Sequence, residues 1–181
     1  SELKYRLGFD AQDGTVSMPV IFSKLSGVKD RKVEEYWISI KQLMTPETLV
    51  VSRVPFISPA MPNPMKMYAT EFFKNGKLKR NRIKSHASYP YGFLREEMQE
   101  HILDKLELLI AQKLIRGTFE NGTEYTIVSV VLNLPKEALR LIQQFDFTKK
   151  NPKLIYIAAS ETLPTLEDSI YAAFLNLVGF D

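Results

Sequence analysis

The stretch "NPKLIYIAASETLPTLEDSIYAAFLNLVGFD", residues 151–181, constrains the fold more than any other part of the chain. "PKLIYIAA" is an unbroken apolar run bounded by Asn151-Pro152, the pattern of a strand covered on both faces. Behind it, Thr165 and Asp168 stand at capping-box spacing, with Asp in place of the usual Glu or Gln. Ile170, Phe174 and Leu177 then repeat at helical intervals, and Gly179 supplies a terminator. A buried strand followed by an amphipathic helix opens a right-handed parallel crossover, which needs a second strand. That strand is expected to begin at Phe180. Without it, an apolar helix face and a sheet edge lack their neighbour. The chain is therefore expected to be part of something longer, or to receive the strand from another chain.

The remainder supports a mixed α/β class. Residues 18–25, "MPVIFSKL", have β-rich apolar character and precede a turn-like "SGVKD". Residues 31–44 predict a helix with Val33, Trp37, Ile40 and Met44 on one face and Asp30 as its cap. "LVVSR", residues 49–53, reads as a short buried strand, which completes a strand–helix–strand unit with parallel pairing. Four prolines in residues 54–66 impose an ordered loop or arm, since proline removes amide donors and fixes φ. "YATEFF" suits a short strand or a helical turn, and a basic connection with a turn at Asn75-Gly76 comes after it.

Residues 95–117 predict the longest helix, with Met98, Ile102, Leu106, Leu109 and Ile110 as its apolar stripe and Gly117 as its C′ residue. Its acidic start and basic end suit the helix dipole. Asn121-Gly122 favours a hairpin there over a helix starting at Thr123. "LPKEALRLIQQF" is a helix with Asn133 as cap and Leu139, Ile142 and Phe145 inward. The expected architecture is a Rossmann-like mixed or parallel sheet flanked by helices. It divides into a βαβ-like segment with the Pro-rich loop (1–73), a basic connecting loop (74–94) and a helical and βα segment (95–181).

Composition closes off several classes. An apolar share of 45% with 25% charged residues is globular rather than disordered. A net charge of +3 implies no polyanion partner on its own. No cysteine occurs, so neither a disulfide framework nor a thiolate metal site is available, which fits a reducing cytoplasm. The opening residues lack an apolar h-region and a cleavage site, so no signal peptide is expected in them. The most apolar run, residues 126–134, is too short to span a bilayer. His86 and His101 have no ligand-spaced neighbour, so no metal site is expected. No P-loop, dinucleotide fingerprint or nucleophile elbow is present, which leaves catalytic residues and cofactors unassigned.

The run from "GTFENGTEYTIVSVVLNLPKEALRLIQQFDFTKKNPKLIYI" to "LEDSIYAAFLNLVGFD" resembles the YceG-like family of bacteria. "YPYGFLREEMQEHILDKL" and "MPVIFSKLSGVKD" extend the resemblance over most of the chain. Members are considerably longer and are described as components of a biosynthetic module whose genes travel with tellurium-resistance and envelope-stress operons. The resemblance thus implies a cytoplasmic, resistance-associated protein with a further C-terminal part. It supplies no active site.

Candidate binding residues emerge from position and chemistry. Ser160, Thr162 and Thr165 lie between a strand's carboxyl end and a helix N-terminus, where ligands sit in open α/β sheets. Glu161 opposes phosphate there, and a turn with a helix cap explains the same residues. Arg53 opens the Pro-rich loop, and Tyr91 and Arg95 stand at a helix entrance, where Arg95 suits bidentate capture of a carboxylate or phosphate. Lys77, Lys79, Arg80, Arg82 and Lys84, with Lys74, make a basic stretch near Tyr89, Tyr91 and Phe93. Such a stretch can grip nucleic acid, but no RNA-binding signature accompanies it and a solvated loop explains it better. The leading expectation is a protein part that binds an anionic metabolite or nucleotide. The alternative is a non-catalytic interaction module whose partners are other resistance-operon proteins or the rest of its own polypeptide.

Overall fold

The computed structural model describes residues 10–12, 15–17, 20–25, 27–52, 55–58, 60–144, 150–157 and 163–181. A hairpin of β1 (Asp10–Gln12) and β2 (Thr15–Ser17) comes first. It is followed by helix α1 (Val33–Leu43) and strand β3 (Thr48–Val51). The Pro-rich stretch runs without regular structure to a 3-10 turn at Lys66–Tyr68. Next come α2 (Ala69–Phe72), a second hairpin of β4 (Phe73–Lys74) and β5 (Lys77–Leu78), and α3 (Arg80–Lys84). Helices α4 (Glu96–Ala111), α5 (Thr123–Val131) and α6 (Lys136–Gln144) precede strand β6 (Lys153–Tyr156) and helix α7 (Leu166–Val178).

The core is helical. α7 packs on α4 and α5, and α2 with its preceding turn packs on α5. Ile102, Leu103, Leu106 and Leu109 of α4, Ile127, Val128 and Val131 of α5, and Ile170, Phe174 and Leu175 of α7 are all fully buried. Because α5 is enclosed by these elements, it needs no polar face, and its run Ile127 to Val131 is buried throughout. This overturns the hairpin expected at Asn121-Gly122. Gly122 instead takes a left-handed conformation (φ 72°) at the N-cap of α5. The strand preference of β-branched residues, worth only tenths of a kcal/mol each, about 0.5, yields to burial. Helix α4 also stops short of Gly117, because Lys113 turns left-handed (φ 53°) just after Ala111. Gly117 serves the following loop, where a Cβ would stand 2.7 Å from Thr123 Oγ1.

The sheet is smaller than a Rossmann sheet. Among the described residues there are three two-stranded pairings, and only β3 with β6 is parallel, in the register Thr48↔Lys153 to Val51↔Tyr156. The parallel partner of β3 is thus β6 and not residues 18–25. Residues 20–25 carry no regular structure and are exposed from Ile21 onward, while 18 and 19 lie outside the described residues. β6 is only half-buried along its length, so the expected cover on both faces is incomplete. Asp30 does not cap α1. It sits in a 3-10 turn at φ 52°, and the N-cap position falls to Lys32, whose side chain makes no capping bond.

Two turns form as the sequence requires. Asn75 (φ 54°) and Gly76 (φ 71°) are both left-handed, as a tight β4–β5 hairpin demands. After α7, Gly179 turns the chain (φ 122°), Phe180 is buried, and Asp181 reaches β6. There the Asp181 N–H donates to the Pro152 carbonyl (2.9 Å) and its carbonyl accepts from the Leu154 N–H (2.8 Å). Those are the two bonds of a parallel bridge opposite Lys153, on the edge of β6 that faces away from β3.

Candidate functional site

The N-terminus of α7 lies at the carboxyl end of β6, where an anion would be expected. Thr165 Oγ1 accepts from the Asp168 N–H and Asp168 Oδ2 accepts from the Thr165 N–H, both at 3.1 Å, so the capping box is complete. Asp168 is only 2% exposed, and its Oδ1 also accepts from the Phe56 N–H (2.7 Å) and, at longer range, the Ile57 N–H (3.4 Å). The Tyr156 hydroxyl donates to Oδ2 at 3.3 Å. Burial, and then the charge of Asp168, pushes the Tyr156 phenol above its ordinary value. The chain's own carboxylate therefore occupies the dipole end of α7 and ties the Pro-rich loop to helix and strand. Asp168 is the residue that sequence reasoning undervalued, since the box spacing revealed its local bond but not the distant amides. Arg53, Ser160 and Thr162 lie outside the described residues.

Tyr91 is fully buried at the end of α5, where its hydroxyl donates to the Val131 carbonyl and accepts from the Leu134 N–H (3.0 Å). Burial raises its pKa strongly. Tyr89 meets it edge-on at 5.7 Å, and burial pushes the Tyr89 phenol up to about 12. Arg95 is exposed at the N-cap position of α4 and makes no ion pair among the described residues. With Glu97, Met98 and His101 it borders a shallow groove, and His101 is held below its usual pKa by burial and then by Lys105.

The basic stretch divides in two. Arg80 pairs with Glu100 (2.7 Å), Asp104 (2.7 Å) and Glu107 on α4, Lys84 pairs with Glu96 and Glu100, and Arg82 pairs with Glu71. Glu107 first, then Asp104 and Glu100, hold the Arg80 guanidinium charged. Lys84 and then Arg80 keep the Glu100 carboxyl below its usual range. Arg80 and Lys84 clamp α3 to α4, Arg82 ties it to α2, and all three are spent internally. Lys74, Lys77 and Lys79 stay exposed and make no ion pair among the described residues. Lys74 and Lys79 line an open groove with Asn81 and the Glu71–Arg82 pair. No group of three His, Cys, Asp or Glu that could hold a metal occurs among the described residues.

A third surface is apolar. Val33 is 51% exposed, Trp37 40% and Met44 39%, and of the predicted inward face of α1 only Ile40 is buried. The pattern that was expected to face a core therefore faces outward. Ile21, Phe22 and Leu25 of the preceding segment are exposed as well. Among the described residues no helix is long and apolar enough to cross a membrane.

Comparison with known proteins adds a family. The profile of the YceG domain matches residues 1–181. The chain is similar to the "Uncharacterized protein YceG" of Bacillus subtilis (strain 168), at 26% identity over 182 residues, covering 97% of this chain and 34% of that protein. It thus spans about a third of the length of the curated relative it matches. No solved structure matches it.

Proposed function

The chain belongs to the YceG domain family, and on that premise we propose that it is the assembly part of a larger, cytoplasmic, Rossmann-like α/β protein. That protein would serve a biosynthetic module of tellurite and stress resistance. The resistance setting comes from the family resemblance alone. The assembly role is supported by the outward stripe of α1, where Val33, Trp37 and Met44 present apolar surface at helical spacing. Each such side chain is about half exposed and so forgoes roughly half of the about 1.5–3 kcal/mol that full burial supplies, which favours a covered face in the working assembly. Two other features support assembly over ligand capture. The N-terminus of α7 is filled by Asp168, and Arg80, Arg82 and Lys84 are engaged by carboxylates.

The test mixes the full-length protein with each purified product of its own operon and reads association by sedimentation. A complex is expected that the double variant Val33→Glu, Trp37→Glu weakens at least tenfold. Absence of any complex, with the protein folded, overturns the assembly role.

A second reading, capture of an anionic metabolite or nucleotide, is favoured by the groove that Lys74, Lys79 and Asn81 share. Here a panel of nucleotides and sugar phosphates should raise the melting temperature of the full-length protein. Lys74→Ala with Lys79→Ala should abolish the rise. A flat response across the panel removes this reading.

A further inference from the structure

We propose that the open edge of β3 joins two copies of this chain, pairing antiparallel about a two-fold axis at Val50. The ladder on the other side of β3 defines that edge. Lys153 and Ile157 donate to the Glu47 and Val51 carbonyls, so residues 47, 49 and 51 turn their backbone groups toward β6. Thr48, Val50 and Ser52 turn theirs away. Among the described residues the Val50 N–H and carbonyl, the Ser52 N–H and the Thr48 carbonyl meet no partner on that side. The Thr48 N–H is already taken by the Thr45 carbonyl at 2.9 Å. The element packed most closely on β3 is β6, and Val50 and Ser52 are exposed.

A second copy is the occupant because this set of free groups is complementary to itself. About a two-fold axis at Val50, the two Val50 residues exchange both of their bonds. Each Ser52 N–H then meets the Thr48 carbonyl of the other copy, and the Thr48 N–H needs no further partner. The side chains set opposite one another are Val50 with Val50 and Thr48 with Ser52, a β-branched pair and a hydroxyl pair, so no like charges meet. β3 also lacks the lysine, proline or bulge that keeps an edge strand from pairing. Leu43 stands exposed where α1 hands over to β3, held there by the Thr48 hydroxyl donating to its carbonyl at 2.7 Å, and adds apolar surface beside the seam. The result is a continuous sheet in the order β6, β3, β3, β6, which turns a bare parallel pair into the interior of something larger.

Sedimentation equilibrium of the full-length protein alone tests this. A monomer–dimer equilibrium is expected. Val50→Lys sets like charges opposite each other at the axis and should raise the dissociation constant at least tenfold, with the far-ultraviolet circular dichroism unchanged. Should that variant fail to fold, cysteine cross-linking gives a second readout. The paired Val50 Cα atoms would stand about 5.5 Å apart, within reach of a disulfide, and those of Ser52 more than about 12 Å apart. Copper–phenanthroline oxidation should therefore link Val50→Cys into a covalent dimer and leave Ser52→Cys unlinked, as residues 1–181 contain no cysteine of their own. A folded full-length protein that stays monomeric as its concentration rises overturns the inference. So does a dimer indifferent to Val50→Lys, or one that Ser52→Cys links as readily as Val50→Cys. The assembly role fails separately, since its complex is read with an operon protein added.

Discussion

Helices α4 and α1 carry similar apolar stripes and meet opposite fates. In α4, Ile102, Leu103, Leu106 and Leu109 have no exposed surface, whereas in α1 only Ile40 is buried and Val33 is half exposed. The difference lies in what surrounds them. Helix α4 has α5 and α7 to pack against, while α1 has no comparable packing partner among the described residues. An amphipathic pattern thus specifies that a face wants covering, not which polypeptide covers it. The helical core covers its own apolar faces, whereas the stripe of α1 stays exposed.

The contrast can be broken at its strongest point. Phe174→Ala empties a fully buried site between helices and should cost about 3–5 kcal/mol in urea unfolding. A cost below 1 kcal/mol would deny α7 its place in the core. Asp168→Ala tests the knot between α7 and the Pro-rich loop. It strands the Phe56 amide and the α7 cap, and about 2 kcal/mol of stability should go with it, accompanied by faster proteolysis in residues 55–58. Unchanged proteolysis would mean that the loop is held by something else.

Smaller effects sharpen the comparison. Arg80→Ala should cost about 1 kcal/mol in low salt, and less in high salt, because its carboxylate partners are partly exposed. Its pH dependence has a definite sign. The folded Glu100 carboxyl is held below its ordinary value near 4.5, so its contribution is complete above that value and is lost as pH falls through the folded one. Parent and variant stabilities should therefore converge in acid. Tyr89 runs the other way. Its folded pKa of about 12 exceeds the ordinary 10.0, so its contribution holds below pH 10 and is lost as pH rises toward 12. Tyr89→Phe should flatten that alkaline decline. The smallest change is Trp37→Ala on the outward stripe, expected to shift stability by under about 0.5 kcal/mol in the 181-residue chain.

Much of the helical side was legible in the sequence. The stripe of α4, the inward Leu139 and Ile142 of α6 and the Thr165–Asp168 box all formed as their spacing requires. These features depend on contacts within a few residues or on periodicity, which a sequence displays directly. The misreadings share a different origin. At Asn121-Gly122 the local turn signal was correct in demanding a left-handed glycine, but enclosure by α4 and α7 made a helix, not a strand, of Thr123 to Val131. The strand expected in residues 18–25 lacks a ladder partner within the described residues, and β propensity alone does not order a strand. Of the candidate site, spacing showed the cap. It could not show that Arg80 and Lys84 would be claimed by acids twelve to twenty-seven residues away, since that pairing is set by how α3 lies across α4.

The rung that Asp181 makes on β6 bears on the order of events during synthesis. Polypeptide leaves the ribosome amino end first, so β3 is waiting when β6 emerges, and the Asp181 rung closes on the opposite edge of β6 only after α7 has been made.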